Sequence, residues 1–298
     1  MNTVDVEFLR RHSSLRCREI TGSDLERIVD LLARGFPARG RRYWARALDR
    51  LAKRQSPPEF PKFGYVLESD GAPVGVILLI FSTLSINGRP SARCNLSSWY
   101  VDPAFRAQGA LLVSRALRHK GITYVNVSPA PHTRPTIEAQ GFLRYTDGQF
   151  LAFPWLAKDS APLHIGDVGE LARPADSDLA AEFDLLAAHK DLGCISLWCT
   201  ASDGIHPFVF LPRRIVKRLL PVLQLAYCRD IGDFVRFAGP LGRYLAARGH
   251  LLVLMDAPGP IPGLPGKYFA GSGPKYFRGP DVPRLGDLAF TEAVLFGA

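Results

Sequence analysis

The sequence predicts an α/β fold of the α+β type, arranged as two domains in tandem. The chain has 298 residues, which suits two domains of about 150 residues each. Hydrophobic residues make up 47% of the chain and charged residues 22%, the ordinary mix of globular proteins. Segments that alternate like strands are interleaved with segments of helical periodicity in both halves. We expect one domain over residues 1–156 and another over 157–298.

The first half begins with a strand and two helices. Arg16–Ile20 alternates as a short strand does, and Thr21-Gly22-Ser23-Asp24 then indicates a helix start. Apolar residues recur at helical spacing from Leu25 to Leu32. A second helix is predicted over Arg41–Lys53, before a run of prolines breaks the chain.

Three antiparallel strands are expected next. Phe63–Glu68 and Pro73–Ile86 flank Asp70-Gly71, which is a strong signal for a two-residue hairpin turn. Asn87-Gly88 repeats that signal before a strand that ends at Val101. These three strands therefore form a meander.

A parallel strand pair is predicted after the meander. A helix over Leu111–His119 separates the strand Leu96–Val101 from the strand Ile122–Val127. Strands joined by a helical crossover run parallel. A short helix over Thr133–Gln140 comes next, and Gly141 ends it.

The second half shows a faint repeat of this order after a linker at Lys158–Pro162. Its predicted helices are Ser177–His189 and Phe234–Ala247, and its predicted strands are Cys194–Thr200, Pro207–Leu211, Val222–Arg229, His250–Met255 and a closing strand within Gly286–Phe296. The long Gly/Pro-rich segment Pro258–Pro283 is expected to be a loop, either a lid over a site or a surface loop that packs its aromatic residues.

The net charge of +9 is confined to the first half. Residues 1–156 hold 22 basic and 13 acidic residues, whereas residues 157–298 hold 15 of each. Asp49 is the only acid in the basic stretch Arg34–Arg54. Nucleic acid is disfavoured as a partner, since aromatic residues that could stack on bases are limited there to Tyr43-Trp44. The stretch is either a solvated helix face or a surface for an anionic ligand or an acidic acyl carrier protein.

Several classes of protein are disfavoured. The N-terminus lacks a signal-peptide pattern, and the apolar stretch Val74–Phe81 is shorter than the roughly 20 residues of a membrane span, so we expect a cytoplasmic protein. The sequence has no G-x-S-x-G motif of a hydrolase and no CxxC pair that would indicate a metal. The cysteines are expected to be buried free thiols: Cys17, Cys94, Cys194, Cys199 and Cys228.

Three features together resemble the GNAT superfamily of acyl-CoA N-acyltransferases, over residues 15–156. Pro103, Arg106 and Gly109 match the family's P-x-x-R-x-x-G turn, which comes after a strand and opens a helix. Gly141-Phe142 matches the Gly-Phe at the end of its later short helix. The order of elements also agrees. The second half is expected to be a degenerate copy of the same fold.

The resemblance implies a binding site for acetyl-CoA or another acyl-CoA, and no metal. The pyrophosphate would lie on the turn amides, where a glycine allows close approach of an anion. The pantetheine arm would pair with the preceding strand, and the thioester would lie near Leu96–Ser98 and Ser128, where the parallel strands splay apart. The implied binding residues are Trp99, Val101, Arg106, Ala107, Gln108, Gly109 and Ala110.

Two positions depart from the family pattern. Leu111 stands where the family has a small residue, and its side chain either crowds the pyrophosphate or turns into the core. Ile137 replaces the family's frequent tyrosine acid. A thiolate leaving group, with an intrinsic pKa of about 8.5, needs little help from an acid.

An amine nucleophile still needs a base, and the strand Asn95–Val101 carries no carboxylate. His132 is the leading candidate, since an imidazole titrates near neutral pH and this residue comes soon after the second parallel strand. The alternative is a histidine that only forms a local hydrogen bond. Ser97 and Ser98 are candidates for hydrogen bonding to the thioester or substrate, and Glu68 and Tyr100 are weaker candidates for the base.

The sequence therefore predicts an N-acyltransferase that moves an acyl group from CoA directly to a primary amine of a small-molecule or anionic acceptor. A GNAT-like binding or regulatory protein without turnover is the alternative, as is transfer from acyl carrier protein. The second half is expected not to bind CoA, because Asp230 and Asp233 stand where a phosphate would lie.

Overall fold

The structure is a computed structural model that describes residues 15–86, 89–158, 162–216 and 219–297. The chain divides into two compact units, Met1–Asn126 and Val127–Ala298. The domain boundary predicted from the sequence lies later in the chain than this division, after Leu156. It stays a prediction of where the two repeats meet. Within the described ranges, no helix is both long and apolar enough to cross a membrane.

The first unit contains a mixed sheet in the order β1-β2-β3-β4-β5. Neighbouring strands are antiparallel except β4 and β5, which are parallel as predicted. The strands are β1 (Arg16–Glu19), β2 (Gly64–Ser69), β3 (Ala72–Ile86), β4 (Arg89–Val101) and β5 (Thr123–Asn126).

The turn between β2 and β3 confirms the predicted hairpin. Asp70 and Gly71 have φ of +50° and +75°, the left-handed backbone that a two-residue hairpin turn requires. The second predicted turn, Asn87-Gly88, lies outside the described residues.

Helices α1 (Leu25–Gly35), α2 (Arg41–Lys53) and α3 (Gly109–Ala116) complete the first unit. Each of the first two helices buries one apolar stripe and exposes a charged face, as the periodicity predicts. The buried residues are Ile28, Val29, Leu31 and Leu32 on α1, and Trp44, Ala47, Leu48 and Leu51 on α2. The bounds of α2 are those predicted.

The second unit also contains a mixed sheet, in the order β12-β6-β11-β10-β9-β8-β7. Its parallel pair is β10 and β11, and the other pairs are antiparallel. The strands are β6 (Leu143–Ala152), β7 (His164–Asp167), β8 (Ile195–Ala201), β9 (Gly204–Ile215), β10 (Leu220–Cys228), β11 (Val253–Ala257) and β12 (Gly266–Arg278). The predicted fold class, a mixed sheet with a parallel pair in each half, is confirmed.

The helices of the second unit are α4 (Arg134–Ala139), α5 (Ser177–Asp191), α6 (Ile231–Arg236), α7 (Ala238–Ala246) and α8 (Glu292–Leu295). Phe234 and Phe237 are fully buried beside Phe208 and Phe210 of β9 in the main core of this unit. The single helix predicted over Phe234–Ala247 is wrong, since two helices meet at Phe237.

Two further predictions for this half are wrong. The expected loop Pro258–Pro283 contains the 13-residue strand β12, which pairs with β6. Gly271, Gly273 and Pro274 lie in an irregular stretch of the strand, so they do not end it. The expected closing strand within Gly286–Phe296 contains α8 instead, because Phe290 has φ +54° and breaks the extended backbone.

Candidate active site

The two parallel strands of the first unit pair over a short stretch only. β5 pairs with Arg93, Cys94 and Asn95 of β4, the last of these opposite Val125. β4 continues to Val101, whereas β5 ends at Asn126. Among the described residues, the register of β5 on β4 therefore ends at Asn95, six residues before β4 itself ends.

A β-bulge interrupts β4 directly after this point. Val76 of β3 lies opposite Tyr100 and Leu78 lies opposite Ser97, so that Ser98 and Trp99 together face one residue of β3. Ser98 has φ +50°, which is a strained conformation for a residue with a side chain. The Ser97 and Ser98 hydroxyls lie 2.9 Å apart and share a hydrogen bond. Both predicted serines thus lie at the bulge.

The bulge brings Trp99 against the start of α3. A Cβ on Gly109 would lie 3.5 Å from both Trp99 Cζ2 and Val101 Cγ2, which is ordinary van der Waals contact. Among the described residues, the Trp99 Nε1 and Gln108 Oε1 atoms are buried without a hydrogen-bond partner. One buried donor and one buried acceptor, on Trp99 and Gln108, are therefore unsatisfied in this part of the first unit.

The turn before α3 differs from the expected open glycine turn. Pro103–Gln108 forms a 3₁₀ helix that continues into α3, so the helix predicted over Leu111–His119 begins earlier and ends at Ala116. Gly109 has a helical φ of −56°, and its N–H donates to the Arg106 carbonyl. Arg106, Ala107 and Ala110 are exposed. The Gly109 amide is therefore engaged in this conformation.

Leu111 points to solvent, with 46% of its surface exposed. The sequence allows two orientations of the Leu111 side chain, and in the structure this side chain lies outside the core. Ile137 lies in α4 and is buried, as expected of an apolar residue in place of a tyrosine.

Arg34, Tyr100 and Asp102 form a network that sequence reasoning missed. The Tyr100 hydroxyl donates to Asp102 Oδ1 at 2.9 Å, and Arg34 Nη2 donates to Asp102 Oδ2 at 2.8 Å. The Tyr100 ring packs on Gly35, where a Cβ would lie 2.4 Å from the ring. Burial, together with the hydrogen bond to Asp102, raises the pKa of Tyr100, which disfavours the ionised phenol. The role of Tyr100 as a base stays a prediction.

Known proteins share this architecture at low sequence identity. No protein-family model and no curated protein matches the sequence. Among solved structures, the chain is similar to a GCN5-related N-acetyltransferase of Anabaena variabilis with a TM-score of 0.56 and 12% identity, covering 89% of this chain and 72% of that one. It is also similar to a GCN5-related N-acetyltransferase of Kribbella flavida with a TM-score of 0.53 and 14% identity, covering 89% and 71%. A conserved protein of unknown function from Enterococcus faecalis gives a TM-score of 0.54 at 11% identity, covering 93% and 74%.

The chain has the GNAT fold. The likeness extends over both halves of the chain, so the fold expected from the resemblance of residues 15–156 is confirmed. At identities of 11–14% it shows the fold alone. The assignment of the second half as a degenerate copy stays a prediction.

Glu68 has a structural role in this GNAT fold. Arg18 Nη2 donates to Glu68 Oε1 at 2.6 Å, and Arg18 Nη1 donates to Asp24 Oδ2 at 2.7 Å. All three side chains lie at the β1–β2 edge of the sheet, away from the β4–β5 pair. Glu68 is thus engaged in an ion pair with Arg18, and its role as a base stays a prediction.

His132 belongs to the second unit of the GNAT fold. It lies in a 3₁₀ helix over Pro131–Thr133, and its side chain is exposed. Nearby, the Ser128 hydroxyl donates to the Glu292 carboxylate of α8. The structure leaves the imidazole open to solvent, and its role as a base stays a prediction.

The second parallel pair has an acidic turn. Asp230 caps α6 by accepting a hydrogen bond from the Gly232 N–H at 2.6 Å. Asp233 Oδ2 lies 3.0 Å from His206 Nδ1. Both carboxylates thus have partners within this unit. In the described part of the chain, no group of three or more His, Cys, Asp and Glu side chains could hold a metal ion.

Proposed function

We propose that this protein is an acyl-CoA-dependent N-acyltransferase, with acetyl-CoA as the simplest donor, that acylates a primary amine. The observation that carries the proposal is the interruption of β4. Its pairing with β5 stops at Asn95, and the bulge at Ser98 comes within three residues. A strand edge opened in this way can pair with an extended amide-bearing chain, which is what the pantetheine arm of CoA is.

The side chains around Gly109 suit such a ligand. Pantetheine carries two amides, and the buried Trp99 N–H and Gln108 carbonyl oxygen can bind an amide oxygen and an amide N–H respectively. Arg106 is exposed one turn before Gly109 and offers a cation to the phosphates. Burying a ligand amide against these atoms would supply the hydrogen bonds they lack.

The proposed acyl transfer requires few groups of the protein. The acceptor amine loses a proton and attacks the thioester carbonyl, and the thiolate of CoA leaves. His132 is the proposed base, either directly or through water. The Ser97 and Ser98 hydroxyls are proposed to bind the thioester or substrate at the bulge.

The acceptor side is proposed to favour an anionic molecule or an acidic carrier. On α2, Arg42 and Arg46 are one helical turn apart and exposed. By contrast, Arg41 pairs with Asp30 and Lys53 pairs with Asp49. Within the described part of the chain, Arg42 and Arg46 have no acidic partner, so they can steer a negatively charged acceptor, or an acyl carrier protein as donor.

A binding or regulatory protein without turnover is the second candidate. The Gly109 N–H already donates to Arg106, and Leu111 exposes an apolar side chain beside the proposed phosphate position. Both features would weaken a pyrophosphate site. This candidate predicts ligand binding without acyl transfer.

Thermal unfolding with CoA and acetyl-CoA tests the proposal. A ligand at 100 times its dissociation constant adds about 2.7 kcal/mol to the free energy of unfolding. Gly109→Glu should abolish that stabilisation, because it places a carboxylate beside the phosphates. Gly109→Ala is the matched control, since its Cβ meets atoms only at 3.5 Å.

The outcomes separate the candidates. Stabilisation of the wild type and of Gly109→Ala but not of Gly109→Glu supports the donor site. Release of free thiol from acetyl-CoA with a panel of amines then supports the transferase, whereas binding without thiol release supports the second candidate. A wild type that neither CoA, acetyl-CoA nor acyl carrier protein stabilises would reject the donor site.

A further inference from the structure

The hairpin of β9 and β10 in the second unit continues past the strands on either side of it. β8 pairs with β9 only as far as Phe210, and β11 pairs with β10 only from Leu223 onwards. Among the described strands, residues 213–215 of β9 and 220–222 of β10 therefore pair only with each other. This part of the hairpin is a two-stranded ribbon without a neighbouring strand.

Two large apolar side chains are exposed at the tip of the ribbon. The Leu219 N–H donates to the Val216 carbonyl at 3.0 Å, which closes the ribbon and keeps the two residues together. Val216 is 66% exposed and Leu219 is 76% exposed. Apolar residues scattered singly over a surface are ordinary, whereas apolar residues grouped on a surface indicate a contact. The tip is therefore an apolar patch on the second unit.

The backbone of Val216 gives no reason for a valine at this position. Its φ is +48°, in the left-handed region where a β-branched side chain is crowded. Glycine or asparagine would adopt this conformation more easily. Neither burial nor backbone conformation favours the valine, which points to a contact of its side chain outside the chain.

The ribbon is also basic. Residues 211–223 include no Asp or Glu, although the second half of the chain has equal numbers of acidic and basic residues. Arg214 is exposed, and within the described part of the chain it has no acidic partner. The basic residues of this segment are Arg213, Arg214, Lys217 and Arg218. An apolar tip with cations beside it suits an anionic surface.

A lipid bilayer fits this combination better than another macromolecule does. Apolar side chains enter the headgroup region, while basic side chains beside them contact anionic lipids. A stable protein interface needs about 800 Å² on each partner, and two side chains offer far less than that. Proteins bind single-stranded nucleic acid by stacking bases on aromatic residues, and residues 211–223 include none.

We propose that the β9–β10 hairpin docks on anionic lipid bilayers. Val216 and Leu219 insert among the headgroups, and the Arg214 guanidinium contacts lipid phosphates. The contact is peripheral and uses only the second unit. It goes beyond the proposed function, because it does not depend on acyl-CoA binding or on acyl transfer.

Co-sedimentation of the full chain with lipid vesicles tests the proposal. One set of vesicles is phosphatidylcholine alone, and the other contains about one third phosphatidylserine, which gives an anionic surface. The tip variant Val216→Asn/Leu219→Ser removes both apolar side chains, and asparagine tolerates a positive φ. Val282→Asn is the matched control, since Val282 is also 66% exposed and lies outside the hairpin.

We expect the wild type to bind the anionic vesicles far more tightly than phosphatidylcholine alone. The partition coefficient of the tip variant should be at least about tenfold lower, because it loses the burial of two apolar side chains. Arg214→Gln should lower it about fivefold, the effect of one basic residue near an anionic membrane. Val282→Asn should bind as the wild type does. Urea midpoints near the wild-type value show that the variants are folded.

A wild type that binds neither kind of vesicle overturns the proposal. So does a tip variant that binds as the wild type does, since Arg42 and Arg46 of α2 would then account for the attraction. Equal binding to phosphatidylcholine alone also overturns it, because the basic side chains would then contribute nothing. A wild-type dimer in sedimentation velocity that the tip variant does not form would assign the hairpin to a second copy of the chain instead.

Discussion

The strained residue at the β4 bulge gives a quantitative prediction. Ser98 has φ +50°, and a left-handed backbone costs a residue with a Cβ about 1–2 kcal/mol. Ser98→Gly removes that cost. Glycine also costs about 0.5–1 kcal/mol of stability, because its backbone loses more entropy on folding. The substitution further removes the hydrogen bond to Ser97, which is worth about 1 kcal/mol. These effects nearly cancel, so we expect a stability within about 1 kcal/mol of the wild type.

Ser98→Val should behave differently. It removes the same hydrogen bond and places a β-branched side chain in the left-handed region, where crowding is most severe. We expect a loss of about 2–3 kcal/mol, from the lost bond and the added strain. That corresponds to a fall in melting temperature of roughly 5–10 °C.

Thermal and urea unfolding of both variants measure the difference. Ser91, on the same strand but without a positive φ, supplies the control. At an ordinary strand position the order should reverse, with Ser91→Val more stable than Ser91→Gly. If Ser98→Val is as stable as Ser98→Gly, the bulge does not impose a left-handed backbone and the reasoning about β4 is refuted.

Two further predictions concern ionisable groups. Hydrogen bonds from Arg18 hold the pKa of Asp24 well below its ordinary value, so its contribution to stability is present above pH ~4 and is lost as pH falls further. Urea midpoints between about pH 5 and pH 2 should fall less steeply for Asp24→Asn than for the wild type, and parallel curves would contradict this. Burial raises the pKa of Cys199 to about 12, and Cys94, Cys194 and Cys228 are buried as well. Iodoacetamide at about pH 8 should therefore label Cys17 in the folded protein, and the four buried cysteines only after unfolding. Labelling of any of the four at the rate of Cys17 in native buffer would show that the cores open.

Local signals in the sequence were sufficient for much of the fold. The Asp70-Gly71 turn, the bounds of α2 and the parallel pair of β4 and β5 depend on neighbouring residues and on one short crossover. Such features are determined by turn chemistry and periodicity. The loop predicted over Pro258–Pro283 is wrong, because its glycines and prolines indicate a loop locally whereas pairing with β6 makes Gly266–Arg278 a strand.

The candidate site could be predicted only in part, because its geometry depends on distant residues. The left-handed backbone of Ser98 carries no sequence signal, since a glycine would be the usual choice there. The hydrogen bonds of Arg34 to Asp102 join residues 68 positions apart. Without the register of the strands, no spacing rule connects them.

The two parallel pairs differ in the segment that comes after their first strand. After β4 comes a helical segment with an exposed arginine, and Asp102 before it is neutralised by Arg34. After β10, Asp230 itself occupies the amide end of α6, and Asp233 adds a second carboxylate beside His206. A phosphate at the second turn would have to displace a built-in anion and approach another, whereas at the first turn it meets a cation. This asymmetry favours a single donor site, in the first unit.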